Sequence, residues 1–267
     1  MRFDVITLFP DLFAPFLTQG INRRAFESGQ VQVKIWNLRD HADGNYRRVD
    51  DRPFGGGPGM VMMAEPLARC LKAVRTDRQD PVDAQAPVVL FSPIGQTLRH
   101  AAVAEWAESQ GAVLVCGRYE GIDQRFIDTC VDHQISLGDF VLSGGEIAAL
   151  ALLDAVTRLQ PGVLNDAGSH QQDSFNPALD GLLDCPHYTR PEAWEHDGQV
   201  QGVPEVLLSG DHGRIARHRR QQSLMVTAMH RPDVVEQARQ AGKLTTRDQQ
   251  LLREFVNEQA PQMGSKA

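Results

Sequence analysis

No run of about 20 apolar residues occurs in the 267-residue chain, so no transmembrane helix is expected. The longest apolar stretch, IAALALLDAV at 147–156, is half a span long and carries Asp154. Four cysteines (Cys70, Cys116, Cys130 and Cys185) make no C-x-x-C pair, and nine histidines make no H-x-x-x-H pair. That spacing argues against zinc or another transition metal, and we expect no metal site. Thiols in such apolar or helical contexts read as reduced and buried in a cytoplasmic protein. No G-x-G-x-x-G follows the first apolar run and no G-K-[ST] closes the glycine-rich stretch. A dinucleotide-dependent oxidoreductase and an ATP hydrolase both lose their main support. Net positive charge is lacking too: a balance of −7 argues against indiscriminate nucleic-acid binding. The opening MRFDVITLFPDLF holds Asp4 inside its apolar run and has no small-residue cleavage site, so it reads as a first strand and not as a signal peptide.

What is present is the composition of a globular protein, 42% hydrophobic and 23% charged, long enough for one large domain or two ordinary ones. Short apolar runs at 3–9, 31–38, 88–91, 112–116 and 133–137 alternate with helical stretches at 21–29, 65–75, 98–109 and 123–131. Such alternation indicates a parallel α/β sheet. EIAALALLDAVTRL (146–159) is the strongest helix and Pro161-Gly162 stops it. Residues 76–87 read as a surface linker. Past residue 176 strand signals vanish and helical periodicity takes over, with the final PQMGSKA expected to fray. We therefore expect an α/β domain over 1–164, a linker over 165–175 and a small helical domain over 176–267.

Two strings stand at strand ends, CGRYEGID (116–123) and SLGDFVLSGGE (136–146), and FSPIGQ (91–96) forms a similar turn. Ligands of open α/β sheets gather at such ends, and glycine-rich loops let backbone approach a flat ligand. A further loop, DRPFGGGPGMVM (51–62), could offer backbone N–H groups to an anion or lie against a ligand's face. Charge is uneven. Five arginines face two acids over 205–231, whereas seven acids face Arg190 alone over 166–197. The basic stretch reads either as a localised phosphate contact or as a solvated helix face.

RPFGGGPGM, CGRYEGID, SLGDFVLSGGE, DAVTRLQPGVL, QDSF and LLDCPHYTRP, in this order, resemble the bacterial tRNA (guanine-N1)-methyltransferase family acting at position 37, beside the anticodon. The resemblance covers nearly the whole chain. It implies a knotted (trefoil, SPOUT-type) parallel-sheet α/β domain followed by a small helical C-terminal domain. It implies S-adenosylmethionine as methyl donor, held by Phe91, Ser92, Pro93 and Gly95, by Gly117, Tyr119, Glu120, Gly121 and Ile122, and by Ser136, Leu137, Gly138, Asp139, Phe140, Val141, Leu142, Gly144 and Gly145. Guanine N1 must lose a proton before it attacks the methyl group, and Asp173 matches the family's base. Arg158 matches the arginine that steadies that base or the charge growing on O6. Gly57, Gly59 and His187 fall to the target base, and Arg214, Arg217 and Arg220 to the anticodon-stem phosphates. The family also implies a cytoplasmic homodimer with tRNA as partner and no membrane. Whether Mg²⁺ assists stays open.

Each of these residues also has a plain structural reading. Asp173-Ser174 suits a turn, Arg158 an i,i+4 pair with Asp154, Glu120 a solvated loop and His187 a packed one. Phe54 and Phe140 stand where the family commonly has tyrosine, Ile94 replaces a residue that is often polar, and the 77–86 segment is longer than expected. The alternatives are a non-enzymatic RNA-binding module, which would not need Asp173, Arg158 and three converging loops, and a knotted RNA methyltransferase with a different RNA target.

Overall fold

A computed structural model of the chain describes residues 1–79, 83–164 and 171–263. Contacts divide it into two compact units, Met1–Asn165 and Asp166–Ala267. The first is built on strands β1 (Arg2–Thr7) and β2 (Gln32–Asn37), the short antiparallel pair β3 (Asp50–Asp51) and β4 (Val61–Met62), then β5 (Val88–Thr97), β6 (Val113–Val115) and β7 (His133–Ser136). Its helices are α1 (Ala14–Thr18), α2 (Arg23–Glu27), α3 (Ala64–Asp77), α4 (His100–Glu108), α5 (Gln124–Cys130) and α6 (Glu146–Thr157).

Five strands form one sheet in the order β2-β1-β6-β5-β7, every pair parallel. Alternation along each strand sends side chains to opposite faces, and both faces are covered, as parallel sheets require. Phe3, Val5, Val89 and Leu114 pack with Ala149, Leu152, Leu153 and Val156 of α6 and with Val103 of α4. Ile6, Val88, Leu90, Val113 and Val115 pack with Leu67, Cys70, Leu71 and Val74 of α3 and with Phe126 of α5.

A charged cluster lies inside this unit. Asp4, fully buried in the middle of β1, accepts hydrogen bonds from Arg78 Nε (2.7 Å), Trp36 Nε1 (2.7 Å) and the Arg2 guanidinium (2.9 and 3.0 Å). Arg78, also buried, spends further N–H groups on the carbonyls of Arg2 and Ala112. A buried carboxylate is tolerated only when its lone pairs are met in this way.

In the central sheet, expected strand and turn differ at β5. FSPIGQ is no simple turn, because β5 runs through it to Thr97 with a slip in register. Phe91 pairs with Ile135, and after an excursion Gln96 pairs with the same residue.

The second unit holds a hairpin of β8 (Ala193–His196) and β9 (Gln199–Gly202), then helices α7 (Glu205–Leu208), α8 (His212–His230), α9 (Pro232–Gln240) and α10 (Thr246–Met263). The hairpin corrects the expectation that strands end before residue 176. It turns at Asp197-Gly198, both at positive φ (51° and 74°), as a tight two-residue connection demands. The unit's own core joins Leu182, Leu224, Val234, Val235, Ala238, Leu244 and Leu252. Ser223 and Thr227 of α8 bond the backbone of Leu183 and tie the preceding segment to the helix. Residues 165–170 of the expected linker, 80–82 of the long surface segment and 264–267 of the tail lie outside the described residues. Of the final seven residues, 261–263 lie within the bounds of α10.

Candidate active site

Loops leave the carboxyl ends of β5, β6 and β7, the edge where parallel α/β sheets take their ligands. The three converge on one cleft of about 380 Å³, within the range of small-molecule sites. Phe91, Ser92 and Pro93 line it from the first loop; Gly117, Tyr119, Glu120, Gly121 and Ile122 line it from the second. Ser136, Leu137, Phe140, Val141, Leu142, Gly144 and Gly145 line it from the third. Three of the expected cofactor residues, Gly95, Gly138 and Asp139, stand outside this wall.

Two of the glycines explain how the loops come so close. A Cβ on Gly145 would lie 2.8 Å from the Cys116 Cα, and the Gly145 N–H donates to the Gly117 carbonyl (2.9 Å). A Cβ on Gly95 would lie 2.5 Å from the backbone of Gln134 and Ile135. Gly95 is therefore a point of close chain crossing. Ser136 closes the third loop on itself, its Oγ accepting from the Gly138 N–H (3.1 Å).

The glycine-rich loop is sewn to the second of these loops. Glu120 N–H donates to the Met60 carbonyl (3.0 Å), Met62 N–H to Gly121 (2.9 Å) and Asp123 N–H to Met62 (2.9 Å). Gly59 lies directly against the Glu120 carboxyl, and Gly57 beside Pro53; neither lines the cleft.

Arg118 lines the cleft and was missed from the sequence, where it stands unremarked between Gly117 and Tyr119. Its Nε lies 2.9 Å from Glu146 Oε2, off the N–H axis, so charge more than a directed bond holds the pair. Glu146 is buried in the first turn of α6, where the helix dipole favours an acid, and accepts from Thr7 Oγ1 (2.8 Å). Arg118 also donates to the Ser143 carbonyl (3.1 Å) and stacks over Phe9 at 4.3 Å. It thereby fastens the third loop to the second. The sequence signal was an acid and an arginine at the inner ends of two glycine-rich loops.

Tyr119 adopts φ 59°, a left-handed backbone unusual for a tyrosine and of the kind found at functional sites. Burial and a hydrogen bond to Asp50 push its hydroxyl pKa up, so it stays protonated. Burial, then the charge of Glu146, pushes the Cys116 thiol well above its ordinary value. Such a thiol is no nucleophile at neutral pH.

The chain matches the family described as tRNA (Guanine-1)-methyltransferase TrmD over residues 1–237. A tRNA (guanine-N(1)-)-methyltransferase of Paracidovorax citrulli is 69% identical over 252 residues, 94% of this chain and 97% of the relative. One from Bordetella pertussis is 54% identical over 258 residues, 97% and 99% of the two chains. The chain belongs to the tRNA (guanine-1)-methyltransferase family.

The family's expected catalytic pair falls in different units, Arg158 in the first and Asp173 in the second. Arg158 caps the carboxyl end of α6, half-buried, its N–H on the Asp154 carbonyl (3.1 Å). The Asp154 carboxylate accepts from Asn22, so it is not simply an i,i+4 partner. Asp173 is half-buried in the turn-rich stretch before Asn176, whose N–H it caps through its carbonyl (3.2 Å). His187 is exposed and pairs with Asp184 (2.8 Å). Arg214 and Arg217 are exposed on α8. Arg220, expected at the stem phosphates, pairs with Asp248 (3.0 Å) and Asp180 (2.9 Å). No helix among the described residues is long and apolar enough to cross a membrane.

Proposed function

We propose that the chain transfers a methyl group from S-adenosylmethionine to N1 of guanine at position 37 of tRNA. The single observation that carries this reading is the convergence of three backbone-rich loops on one cleft at the carboxyl edge of the sheet. The cleft suits that donor. Its glycines admit a flat purine, Leu137, Phe140 and Leu142 give an apolar rim, and Glu120 supplies a carboxylate for a cationic sulfur. When bound, S-adenosylmethionine supplies an electrophilic methyl group.

The chain's residues do the rest. Gly117 to Ile122 and Ser136 to Gly145 hold the donor, and Arg118 with Glu146 keeps those two loops in register. Asp173 takes the N1 proton of the target guanine. Arg158 neutralises charge that then moves to O6. The base must leave its stack to expose N1, so His187 and the glycine-rich loop with Gly57 and Gly59 receive it, while arginines of α8 grip the stem. Close crossings at Gly95 and Gly145 support the trefoil knot in the first unit. We assign donor binding to residues 1–164, tRNA binding to 176–267 and the connection to 165–175. The protein is then a cytoplasmic homodimer, with tRNA as its partner.

Methyl transfer from labelled S-adenosylmethionine to tRNA transcripts tests this, with guanine or adenine at position 37. Labelling of the guanine transcript alone is expected. Equal labelling of both would overturn position 37 and favour a knotted methyltransferase with another RNA target. Repeating the assay with Mg²⁺ chelated shows whether the ion assists.

A further inference from the structure

A cavity of about 630 Å³, larger than the candidate cleft, opens in the first unit between α4 and the strands β5 and β7. Ala102, Glu105, Trp106 and Ser109 stand at i, i+3, i+4 and i+7, so one face of α4 and its C-cap make a wall. Gln96 and Thr97 come from the far half of β5, and Asp132 and His133 from the entry to β7. Gln134 and Ile135 line both this cavity and the cleft, so the two hollows share a wall.

The lining is acidic and aromatic. It holds two carboxylates, Glu105 and Asp132, and no lysine or arginine. Asp132 Oδ2 accepts from the Val88 N–H (2.8 Å), and Glu105 makes no ion pair among the described residues. Trp106 and His133 meet edge to face with ring centroids 5.7 Å apart, which steadies an indole that also packs on the core. The C-terminal turn of α4 ends here, where the helix dipole favours a cation. A phosphate would meet two carboxylates and no fixed positive charge. A bare metal ion needs several ligands converging on one point, and among the described residues no three His, Cys, Asp or Glu side chains gather so. What fits is a cation that spreads its charge along an apolar chain. Its ammonium groups suit the carboxylates, its methylenes suit the indole, and its spare N–H donors suit the Gln96, Thr97 and Ser109 oxygens.

We propose that this cavity binds an aliphatic polyammonium ion of the spermidine class, and that its occupancy alters affinity for the methyl donor across the shared wall. The coupling has a physical route. Gly95, at the close chain crossing, lines the cavity with its backbone against Gln134 and Ile135, the two residues that also line the cleft. A ligand wedged between α4 and the far half of β5 therefore bears on backbone that cannot yield without moving the cleft wall. The cation site stands without any enzymatic reading; the coupling rests on the reading of the cleft as the S-adenosylmethionine site.

The test is calorimetric titration of spermidine into the full chain, without tRNA, at low ionic strength. Variants are Glu105→Gln, Glu105→Lys and Glu108→Gln, the last an exposed acid of α4 outside the cavity. The parent chain is expected to bind one ion saturably, Glu105→Gln to bind it several-fold more weakly, Glu105→Lys not to bind it, and Glu108→Gln to match the parent. Equimolar Mg²⁺ is expected to leave the spermidine isotherm in place. Donor affinity, titrated with and without spermidine, should shift several-fold in the parent and stay constant in Glu105→Lys. Spermidine affinity should shift by the same factor when the donor is added. No saturable binding overturns the site. An equal loss in Glu108→Gln or displacement by Mg²⁺ reduces it to diffuse counter-ion attraction and overturns it as well. Tighter binding of oligolysine, abolished by Glu105→Lys, assigns the cavity to a basic protein segment and overturns it too. Spermidine binding with unchanged donor affinity overturns the coupling. An unaltered chain that binds spermidine but no S-adenosylmethionine overturns the reading of the cleft and leaves the cation site standing.

Discussion

Gly145 has no room for a methyl group: its missing Cβ would meet the Cys116 backbone, which cannot rotate away as a side chain can. Gly145→Ala therefore must push the third loop off the second. We expect a loss of about 1–3 kcal/mol in stability, the usual cost of overpacking, together with strongly weakened S-adenosylmethionine binding. Denaturant melts and calorimetry would register both; unchanged donor affinity would count against the cleft. Asp173, half-buried, is proposed to act by chemistry and not by packing. Asp173→Asn keeps the shape and removes the proposed base, so turnover should fall by at least about 100-fold with donor affinity intact. Single-turnover methylation beside donor titration separates the two, and a joint loss would make Asp173 structural. The wall of the cleft was readable because glycine and strand-end position carry it. Arg118 was not, since a lone arginine in a loop reads as solvated until its buried partner Glu146 is seen.

At the scale of elements, α8 and α10 are joined by a titratable lock. Burial pushes the Asp248 carboxyl up, but hydrogen bonds from Arg220 and Thr245 outweigh it and hold the group below its ordinary value. A carboxylate depressed in the folded state adds stability above its unfolded pKa, near 3.9, and loses it as pH falls through the folded value. The second unit should thus weaken below about pH 4, and Asp248→Asn should flatten that acid limb while lowering stability at neutral pH. Thermal melts from pH 2 to 7 would decide, parallel limbs in both chains being the contrary result. The sheet strands were legible from short apolar runs bounded by Gly or Pro. The far half of β5 was not, because Pro93 and Gly95 signal a turn locally while pairing with β7 comes from tertiary contact. The β8–β9 hairpin was hidden for another reason: all eight strand residues are exposed, so no alternation marks it, and Asp197-Gly198 was its one signal.

For the whole molecule, the first unit leaves Ile94, Phe140, Val141 and Ile147 exposed, apolar side chains that a second copy would cover in the proposed homodimer. Sedimentation should give a dimer at micromolar concentration, and Val141→Asp should shift it toward monomer; a monomeric parent chain would contradict the homodimer. The sheet's strand order bears also on how the chain is made. β1 is synthesised first, yet it lies between β2 and β6, and Val5 waits for Leu114 roughly 110 residues downstream. At about 5–20 residues per second that is on the order of 5–20 s with one edge of the strand unmatched. Throughout that interval FDVITLF is a short apolar segment of the kind that pairs with the wrong neighbour, and Asp4 is its one charge. Until Arg78 has been made, the carboxylate is a hydrated charge that discourages premature association. A carboxylate that is costly to bury in the finished protein thus protects the unfinished one.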